Sequence, residues 1–145
     1  MAKPTMIFVN LPVSNLAHAT AFYEAIGATK NAQFSAHTAS CMVISDTIHL
    51  MLLTHDKFCE ITQKKIADTK TTSEVLICLS ADSRDAVDGY VTNAKGAGGS
   101  ADPSPQQDYG FMYGRSFEDP DGHIWEVMWM DVEAAMKAQS AAATA

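Results

Sequence analysis

The segment Phe117-Glu118-Asp119-Pro120-Asp121-Gly122-His123-Ile124-Trp125-Glu126 contains the strongest fold signal in the chain. Its centre, Asp119-Pro120-Asp121-Gly122, combines residue types that bend a chain tightly. β-prone residues precede this turn from Tyr109 to Glu118 and follow it from His123 to Met130. The pattern predicts a β-hairpin that ends in the last strand.

Upstream of this hairpin, the sequence predicts one strand, one helix and one further strand. Glu74–Ala81 is a short apolar run typical of a buried strand. Asp82 or Ser83 offers a side chain to cap the helix that follows, and three glycines between positions 96 and 99 end it. A strand candidate at Ser100–Asp102 completes a βαβββ order with the hairpin.

The first half of the chain shows the same order. Met6–Val13 predicts a strand, Ser14 a helix cap, Asn15–Ile26 an amphipathic helix, and Gly27 its end. The three strand candidates that follow are Lys30–Phe34, Ser40–Ser45 and Thr47–Leu53. The chain therefore contains two βαβββ modules.

A constant numbering offset aligns the two modules, since it places Leu11 on Leu79 and Ser14 on Asp82. Such a repeat indicates duplication of one structural unit. One face of each sheet is covered by its helix, and the other must pack on a second sheet or enclose a ligand. We therefore expect an α+β fold in which two curved mixed sheets form a cavity.

The predicted organisation is a single domain spanning residues 1–145. Module one covers residues 6–54 and module two residues 74–130. Residues 55–73 form the connecting loop, and the Ala-rich residues 131–145 form a C-terminal tail that begins with a helix.

Composition excludes several classes of function. The chain has 10 Lys and Arg against 17 Asp and Glu, for a net charge of −7, so it lacks the basic footprint of a nucleic-acid binder. No apolar run reaches the ~20 residues that cross a bilayer, and no signal-peptide segment precedes the first strand. A cytoplasmic protein without membrane or nucleic-acid partners is expected.

The sulfur-containing residues are interpreted as apolar filler. Cys41 and Cys78 lie within apolar runs and are predicted to be buried, whereas Cys59 lies in a polar stretch. The methionines are expected to fill gaps in the core, with a few of them forming a pliable pocket wall. Those methionines are Met42, Met51, Met112, Met128 and Met130.

Three parts of the chain resemble glyoxalase/bleomycin-resistance proteins of the vicinal-oxygen-chelate superfamily. They are Leu11–Leu16 with Phe22–Gly27, Ala81–Ser83 with the helix ending at Gly98-Gly99, and Phe117–Glu126. The last is similar to the family's closing F-x-D-P-D-G-x-x-x-E hairpin. Residues 105–115 also resemble the lactoylglutathione-lyase-like subgroup.

The resemblance implies a divalent metal (Zn, Ni, Mn or Fe) held by one residue on the first strand and one on the last strand of each module. The first-strand positions carry Phe8 and Leu76, and neither side chain can bind a metal. The last-strand positions carry His49 and Glu126, which can. The sequence thus supplies two of four expected ligands.

Further roles follow from the same positions. Glu126 is the candidate catalytic residue, as a general base or a metal ligand, and Arg115 and Tyr113 are candidate substrate-binding residues. Phe8 and Leu76 would form an apolar wall of the substrate site. The alternatives are a pocket-lining or solvated His49, a surface Arg115, and a Glu126 that pairs with a base such as Arg115.

Two main functions fit these residues. One is a glyoxalase-like lyase or isomerase that acts on a small oxygenated molecule, such as a 1,2-dicarbonyl or its thiol adduct. The other is a metal-free protein that binds or sequesters a small molecule, as bleomycin-resistance proteins do. A third is an accessory domain that acts only through dimerisation. The resemblance implies a homodimer in each case.

Overall fold

The computed structural model describes residues 1–144 and divides the chain into two compact units, Met1–Thr72 and Ser73–Ala145. Each unit contains one mixed β-sheet with a helix on one face. The predicted α+β class and the two βαβββ modules are therefore confirmed. The assignment of both units to one domain stays a prediction.

The first unit contains four strands and two helices among the described residues. In chain order they are β1 (Ile7–Val13), α1 (Leu16–Ala25), β2 (Thr29–Ala36), β3 (Ala39–Val43), β4 (Ile48–Thr54) and α2 (His55–Ile61). The sheet order is β1-β4-β3-β2, with β1 parallel to β4 and the other pairs antiparallel. Helix α2 occupies the start of the segment predicted as a loop.

Helix α1 begins one residue later than the sequence predicts. Asn15, and not Ser14, is the N-cap, because its side-chain oxygen accepts the backbone N–H of His18 at 3.0 Å. The chain leaves the helix at Gly27, whose φ of 108° is readily adopted only by glycine. The helix buries Phe22 and Tyr23 against its sheet, and both side chains are at most 1% exposed.

The second unit repeats this topology. Its elements are β5 (Ile77–Ser80), α3 (Arg84–Gly96), β6 (Ser100–Ala101), β7 (Gln107–Asp108), β8 (Met112–Glu118), β9 (Ile124–Met130) and α4 (Val132–Thr144). The sheet order is β5-β9-β8-β6, with β5 parallel to β9, and β7 also pairs with β8. Strand β5 starts after Leu76, so it is shorter than predicted.

The predicted closing hairpin is confirmed as the β8–β9 connection. Asp119 is only 3% exposed, and its Oδ1 accepts the backbone N–H groups of Asp121 at 3.0 Å and His123 at 2.9 Å. Gly122 adopts a φ of 93°. A buried carboxylate that satisfies two N–H groups explains why this turn has a recognisable sequence.

The strand predicted from residue 109 begins only at Met112. Residues 107–108 form β7 instead, which folds back antiparallel on β8 through Gly110 at a φ of 78°. Residues 102–110 therefore form a loop that pairs with β8 through Gln107 and Asp108. We call residues 102–110 the cavity loop. No helix within residues 1–144 is long and apolar enough to cross a membrane.

Alternation along the strands gives the second sheet two chemically different faces. Phe117, Trp125 and Val127 are at most 1% exposed and pack on the side of helix α3, with the Phe117 and Trp125 rings stacked. Their strand neighbours Ser116 and Glu126 point to the other side. We call this second side the open face, since no helix of the unit covers it.

Candidate functional site

A cavity of about 170 Å³ lies at the open face of the second sheet. All of its lining residues belong to the second unit. Strands β5, β8 and β9 supply its base, and the cavity loop supplies Ser104, Pro105 and Gln107. The residues that line the cavity from the strands include Cys78, Met112, Ser116, Glu126 and Met128.

Glu126 lies on the central strand of this cavity. It pairs in register with Cys78 on one side and with Ser116 on the other. The residue is partly buried, and its carboxylate accepts no hydrogen bond from any residue between 1 and 144. A partly buried carboxylate without a donor is a group that a ligand can satisfy.

Ser116 fixes the cavity loop above the sheet. It is 2% exposed, and its Oγ accepts the backbone N–H of Ser104 at 3.1 Å while its hydroxyl reaches the Ser104 carbonyl at 3.4 Å. The hydroxyl of Ser116 therefore makes its hydrogen bonds to the backbone of the cavity loop. The polar group left for a ligand at this point of the sheet is the carboxylate of Glu126.

Cys78 is exposed, so the prediction that it is buried is wrong. The neighbouring Leu79 faces the helix and is 7% exposed, and alternation turns Cys78 to the open face. Its thiol is partly desolvated by the cavity, and this desolvation, followed by the negative charge of Glu126, raises its pKa. Cys41 is buried as predicted.

Arg115 is among the residues that line the cavity, but strand alternation turns its side chain to the helix side of the sheet, opposite to Glu126. Its Nε and Nη2 donate to the two carboxylate oxygens of Asp102 at 3.0 and 2.6 Å, and its Nη1 donates to Asp88 on α3 at 2.9 Å. The side chain is 17% exposed. Arg115 thus pairs with these two aspartates and not with Glu126, which corrects the alternative in which Glu126 and Arg115 neutralise each other.

Tyr113 belongs to the same network, since its hydroxyl donates to Asp88 Oδ1 at 2.7 Å. Hydrogen bonds from Tyr113 and Arg115 lower the pKa of Asp88, and the hydrogen bond from Arg115 lowers that of Asp102. The bond to Asp102 is also the main reason that the pKa of Arg115 is raised. Substrate binding by Arg115 and Tyr113 stays a prediction, and these donors already have partners within the chain.

A second arginine holds the far end of the cavity loop. Arg84 donates through Nη1 and Nη2 to both oxygens of Asp108 at 2.9 Å, and through Nη2 to the Gly110 carbonyl at 2.9 Å. Its guanidinium lies over the rings of Tyr113 and Trp129, with centroid distances of 5.0 and 5.4 Å. The hydrogen bond from Arg84 lowers the pKa of Asp108 to about 2.

The candidate positions of the first unit are Phe8 and His49. They are in register on β1 and β4, and their rings stack with centroids 4.9 Å apart. Phe8 is 52% exposed, whereas the Nδ1 atom of His49 is buried without a hydrogen-bond partner. His49 therefore lies in an aromatic and largely apolar setting.

The strand registers show that His49 is not the repeat counterpart of Glu126. The numbering offset that aligns the modules places Asn10 on Cys78, and these residues pair with Met51 and Glu126 respectively. The counterpart of Glu126 is thus Met51, which the sequence analysis interprets as a core or pocket-wall methionine and not as a site residue. At this position the first unit carries the thioether of Met51 where the second unit carries a carboxylate, so the first unit has no carboxylate ligand for a divalent metal there.

The residues present do not fit a resident divalent metal of the expected kind. Phe8 and Leu76 supply no ligand atom. Metal-binding histidines usually hold their ring in place with a hydrogen bond from the second ring nitrogen, whereas the buried Nδ1 of His49 has no hydrogen-bond partner. Among residues 1–144, no group of three or more His, Cys, Asp or Glu side chains could hold a metal ion.

The family of this chain is shown by comparison with known proteins. Residues 5–127 match the model of the Glyoxalase/Bleomycin resistance protein/Dioxygenase superfamily. The chain therefore belongs to this superfamily, as its closing hairpin indicates. None of the curated proteins matches the chain.

Solved structures show the same fold. A hypothetical protein from S. aureus is 26% identical with a TM-score of 0.73, covering 89% of this chain and 95% of its own. Lactoylglutathione lyase from Agrobacterium tumefaciens is 16% identical with a TM-score of 0.63, at 89% and 96% coverage. The fosfomycin resistance protein FosX from Listeria monocytogenes is 20% identical with a TM-score of 0.62, at 86% and 89% coverage. At these identities the last two show the fold alone.

Proposed function

We propose that this protein binds a small oxygenated molecule through Glu126, without a resident divalent metal. The observation that carries the proposal is the carboxylate of Glu126, which lines a cavity and accepts no hydrogen bond from the described residues. A ligand hydroxyl or ammonium group would supply the missing donor. Charge-assisted bonds of this kind are about twice as strong as neutral ones.

The lining of the cavity indicates the class of ligand. The guanidinium of Arg115 is bound by Asp88 and Asp102, so the charge that remains for a ligand in the cavity is the negative charge of Glu126. Two methionines form an adaptable apolar wall beside it. The volume of about 170 Å³ is below the roughly 300–1,000 Å³ of drug-sized sites. These features favour a fragment-sized polyol, amine or amino alcohol over an anion.

A thermal-shift screen in EDTA tests this proposal. Amines and polyols are compared with carboxylates of matched size, and a ligand at 100 times its Kd is expected to stabilise the fold by about 2.7 kcal/mol. The shift should be lost in Glu126→Gln. The matched control is Glu118→Gln, which removes a carboxylate of β8 outside the cavity lining.

Two outcomes of the screen contradict the proposal. One is that ligands stabilise the fold only in a parallel screen without EDTA, because that effect requires a metal. The other is a ligand whose effect is the same in Glu126→Gln and in the unmodified protein. A preference for carboxylates would indicate in addition that a cation other than Arg115 binds the ligand.

A second candidate function is a glyoxalase-like lyase or isomerase. The observation that favours it is the position of Glu126 in the closing hairpin, where the family resemblance places a base or a metal ligand. There its carboxylate would remove a proton next to a carbonyl group of the substrate. Turnover of a thiol adduct of a 1,2-dicarbonyl, with Ni or Zn added, should then be lost in Glu126→Gln. Absence of turnover with both metals would exclude this function.

The family resemblance also leads us to propose a cytoplasmic homodimer. Large apolar side chains at the starts of both modules are more than half exposed, namely Ile7, Phe8, Val75 and Leu76. Contiguous exposed apolar residues are typical of interaction surfaces. Light scattering should give twice the chain mass of 15.6 kDa, and a monomer mass would contradict the proposal.

A further inference from the structure

We propose that the cavity of the second sheet is also a binding site for a soft monovalent metal ion of the Cu(I) class. Three of its lining side chains carry sulfur, namely those of Cys78, Met112 and Met128, and the carboxylate of Glu126 lies beside them. This site differs from the divalent-metal site of the family resemblance in its ligands. It also does not depend on the proposed organic ligand.

The strand registers bring these side chains to one face of the sheet. Cys78 on β5 pairs with Glu126 on β9, and Met128 lies two residues further along β9, on the same face. Cys78 and Met128 are therefore diagonal neighbours on two parallel strands, and a strand spacing of about 4.8 Å with a rise of about 3.3 Å per residue puts their Cα atoms roughly 8 Å apart. A long methionine side chain spans that separation.

The third sulfur atom is placed by Gly114. Gly114 pairs with Met128 across β8 and β9, and it has no side chain to fill the space between them. The Sδ atom of Met112 lies there, 3.7 Å from the point that a Cβ of Gly114 would occupy. The thioether of Met112 thus lies over Gly114, next to the strand position of Met128.

The chemistry of this donor set selects the ion. A thiolate binds both Cu(I) and Zn, but Zn completes its coordination with further thiolate, imidazole or carboxylate groups. The two thioethers of this cavity are soft donors that suit Cu(I). On binding, the Cys78 thiol gives its proton to the buffer and forms a sulfur–copper bond, without any change in oxidation state. Before binding, the Cys78 thiol is neutral because its pKa is raised, so the charge that attracts a cation to the pocket is that of the Glu126 carboxylate.

A competition titration tests the site. The unmodified protein is titrated anaerobically with Cu(I), kept reduced by ascorbate, against the coloured Cu(I) chelator bicinchoninate. One Cu(I) per chain should resist the chelator. Affinity should fall at least about tenfold in Cys78→Ser and also in the double variant Met112→Leu/Met128→Leu. Leucine is close to methionine in volume, so the double variant keeps the cavity filled.

Matched controls separate the site from ordinary thiol binding. Cys59→Ser removes another exposed thiol, and Met6→Leu/Met136→Leu removes two exposed methionines outside the cavity. Both controls should bind Cu(I) as the unmodified protein does, and circular dichroism should show that each variant is folded.

The proposal is overturned if no Cu(I) resists the chelator, or if only Cys78→Ser weakens binding while the double methionine variant retains it. The second result would identify a lone thiol that binds copper. Neither result affects the ligand screen on Glu126, which is run in EDTA and without copper. The two proposals can therefore fail separately.

Discussion

Replacing Arg115 tests whether its guanidinium holds the cavity loop in place. Arg115 makes three charge-assisted hydrogen bonds, two to Asp102 and one to Asp88, and its side chain is 17% exposed. Arg115→Met leaves two carboxylates without their cation. Breaking a fully buried pair in this way costs about 3–5 kcal/mol, and because Asp88 is 48% exposed we expect roughly 2–4 kcal/mol here.

Arg115→Lys should lose less stability than the methionine variant. The ammonium group keeps the charge but cannot form the paired bonds to both oxygens of Asp102, so the loss is expected to be about one charged hydrogen bond, roughly 1.5–3 kcal/mol. Urea denaturation measures the free energy of unfolding for each variant. Lys57→Met, which removes an exposed surface pair with Glu60, is the control and should change stability by about 1 kcal/mol at most.

The pH dependence of stability provides an independent measurement. The folded protein has lowered pKa values at Asp88 and Asp102, so their contribution is present above their ordinary pKa of 3.8 and is lost as the pH falls through the lower folded values. Arg115→Met should flatten this acid limb of the stability curve. A methionine variant as stable as the control, or an unchanged acid limb, would refute the role of Arg115 in holding the cavity loop.

Three further predictions concern single side chains. Asp119→Ala should destabilise the fold by about 1–3 kcal/mol in thermal unfolding, because two partly buried N–H groups lose their acceptor, and Asp119→Asn should lose less; equal losses would argue against this acceptor role. Protection of the cavity-loop amides, taken as the exchange rate relative to that of an unfolded peptide at the same pH, should persist from pH 4 down to about 2 and be lost as Asp108 is protonated; loss that is complete by pH 3 would contradict that assignment. Alkylation of Cys78 should become faster in Glu126→Gln, because the carboxylate raises the thiol pKa, and an unchanged rate would disprove that coupling.

The fold could be predicted because its signals are local in sequence. In the turn at Asp119–Gly122, the side chain of Asp119 accepts backbone N–H groups that lie no more than four residues away. The turn can therefore be predicted from its own residue types, without knowledge of the rest of the chain. The helix caps could be predicted only to within one residue, because both Ser14 and Asn15 are good caps and the sequence alone does not show which side chain accepts the bond.

The site could be predicted only in part, because it depends on pairings between distant residues. The partners of Arg115 lie 27 and 13 positions away, and nothing in the sequence marks Asp88 or Asp102 as its acceptors. The opposite faces of Arg115 and Glu126 could have been inferred, since the short turn of the hairpin puts Ser116, not Arg115, beside Glu126. The same alternation, applied to Leu79, predicts an exposed Cys78.

The register of β1 and β4 was not accessible from the sequence in the same way. His49 stands out there as a polar residue between apolar ones, whereas the pairing of Asn10 with Met51 gives the true counterpart of Glu126. His49 and Met51 lie two positions apart on β4, so they share one face of the sheet and differ in their place along the strand. Polarity therefore singles out His49, whereas the register places Met51 level with Glu126, and the role of His49 stays a prediction.

Calorimetric titration of one screened ligand into the protein in EDTA tests the central claim most directly, namely that Glu126 binds the ligand without a metal. The expected result is one ligand per chain, with affinity reduced at least about tenfold in Glu126→Gln, the value of one charge-assisted hydrogen bond, and unchanged in Glu118→Gln. Equal affinities in all three proteins, or binding that appears only when a divalent metal replaces the EDTA, would contradict the claim.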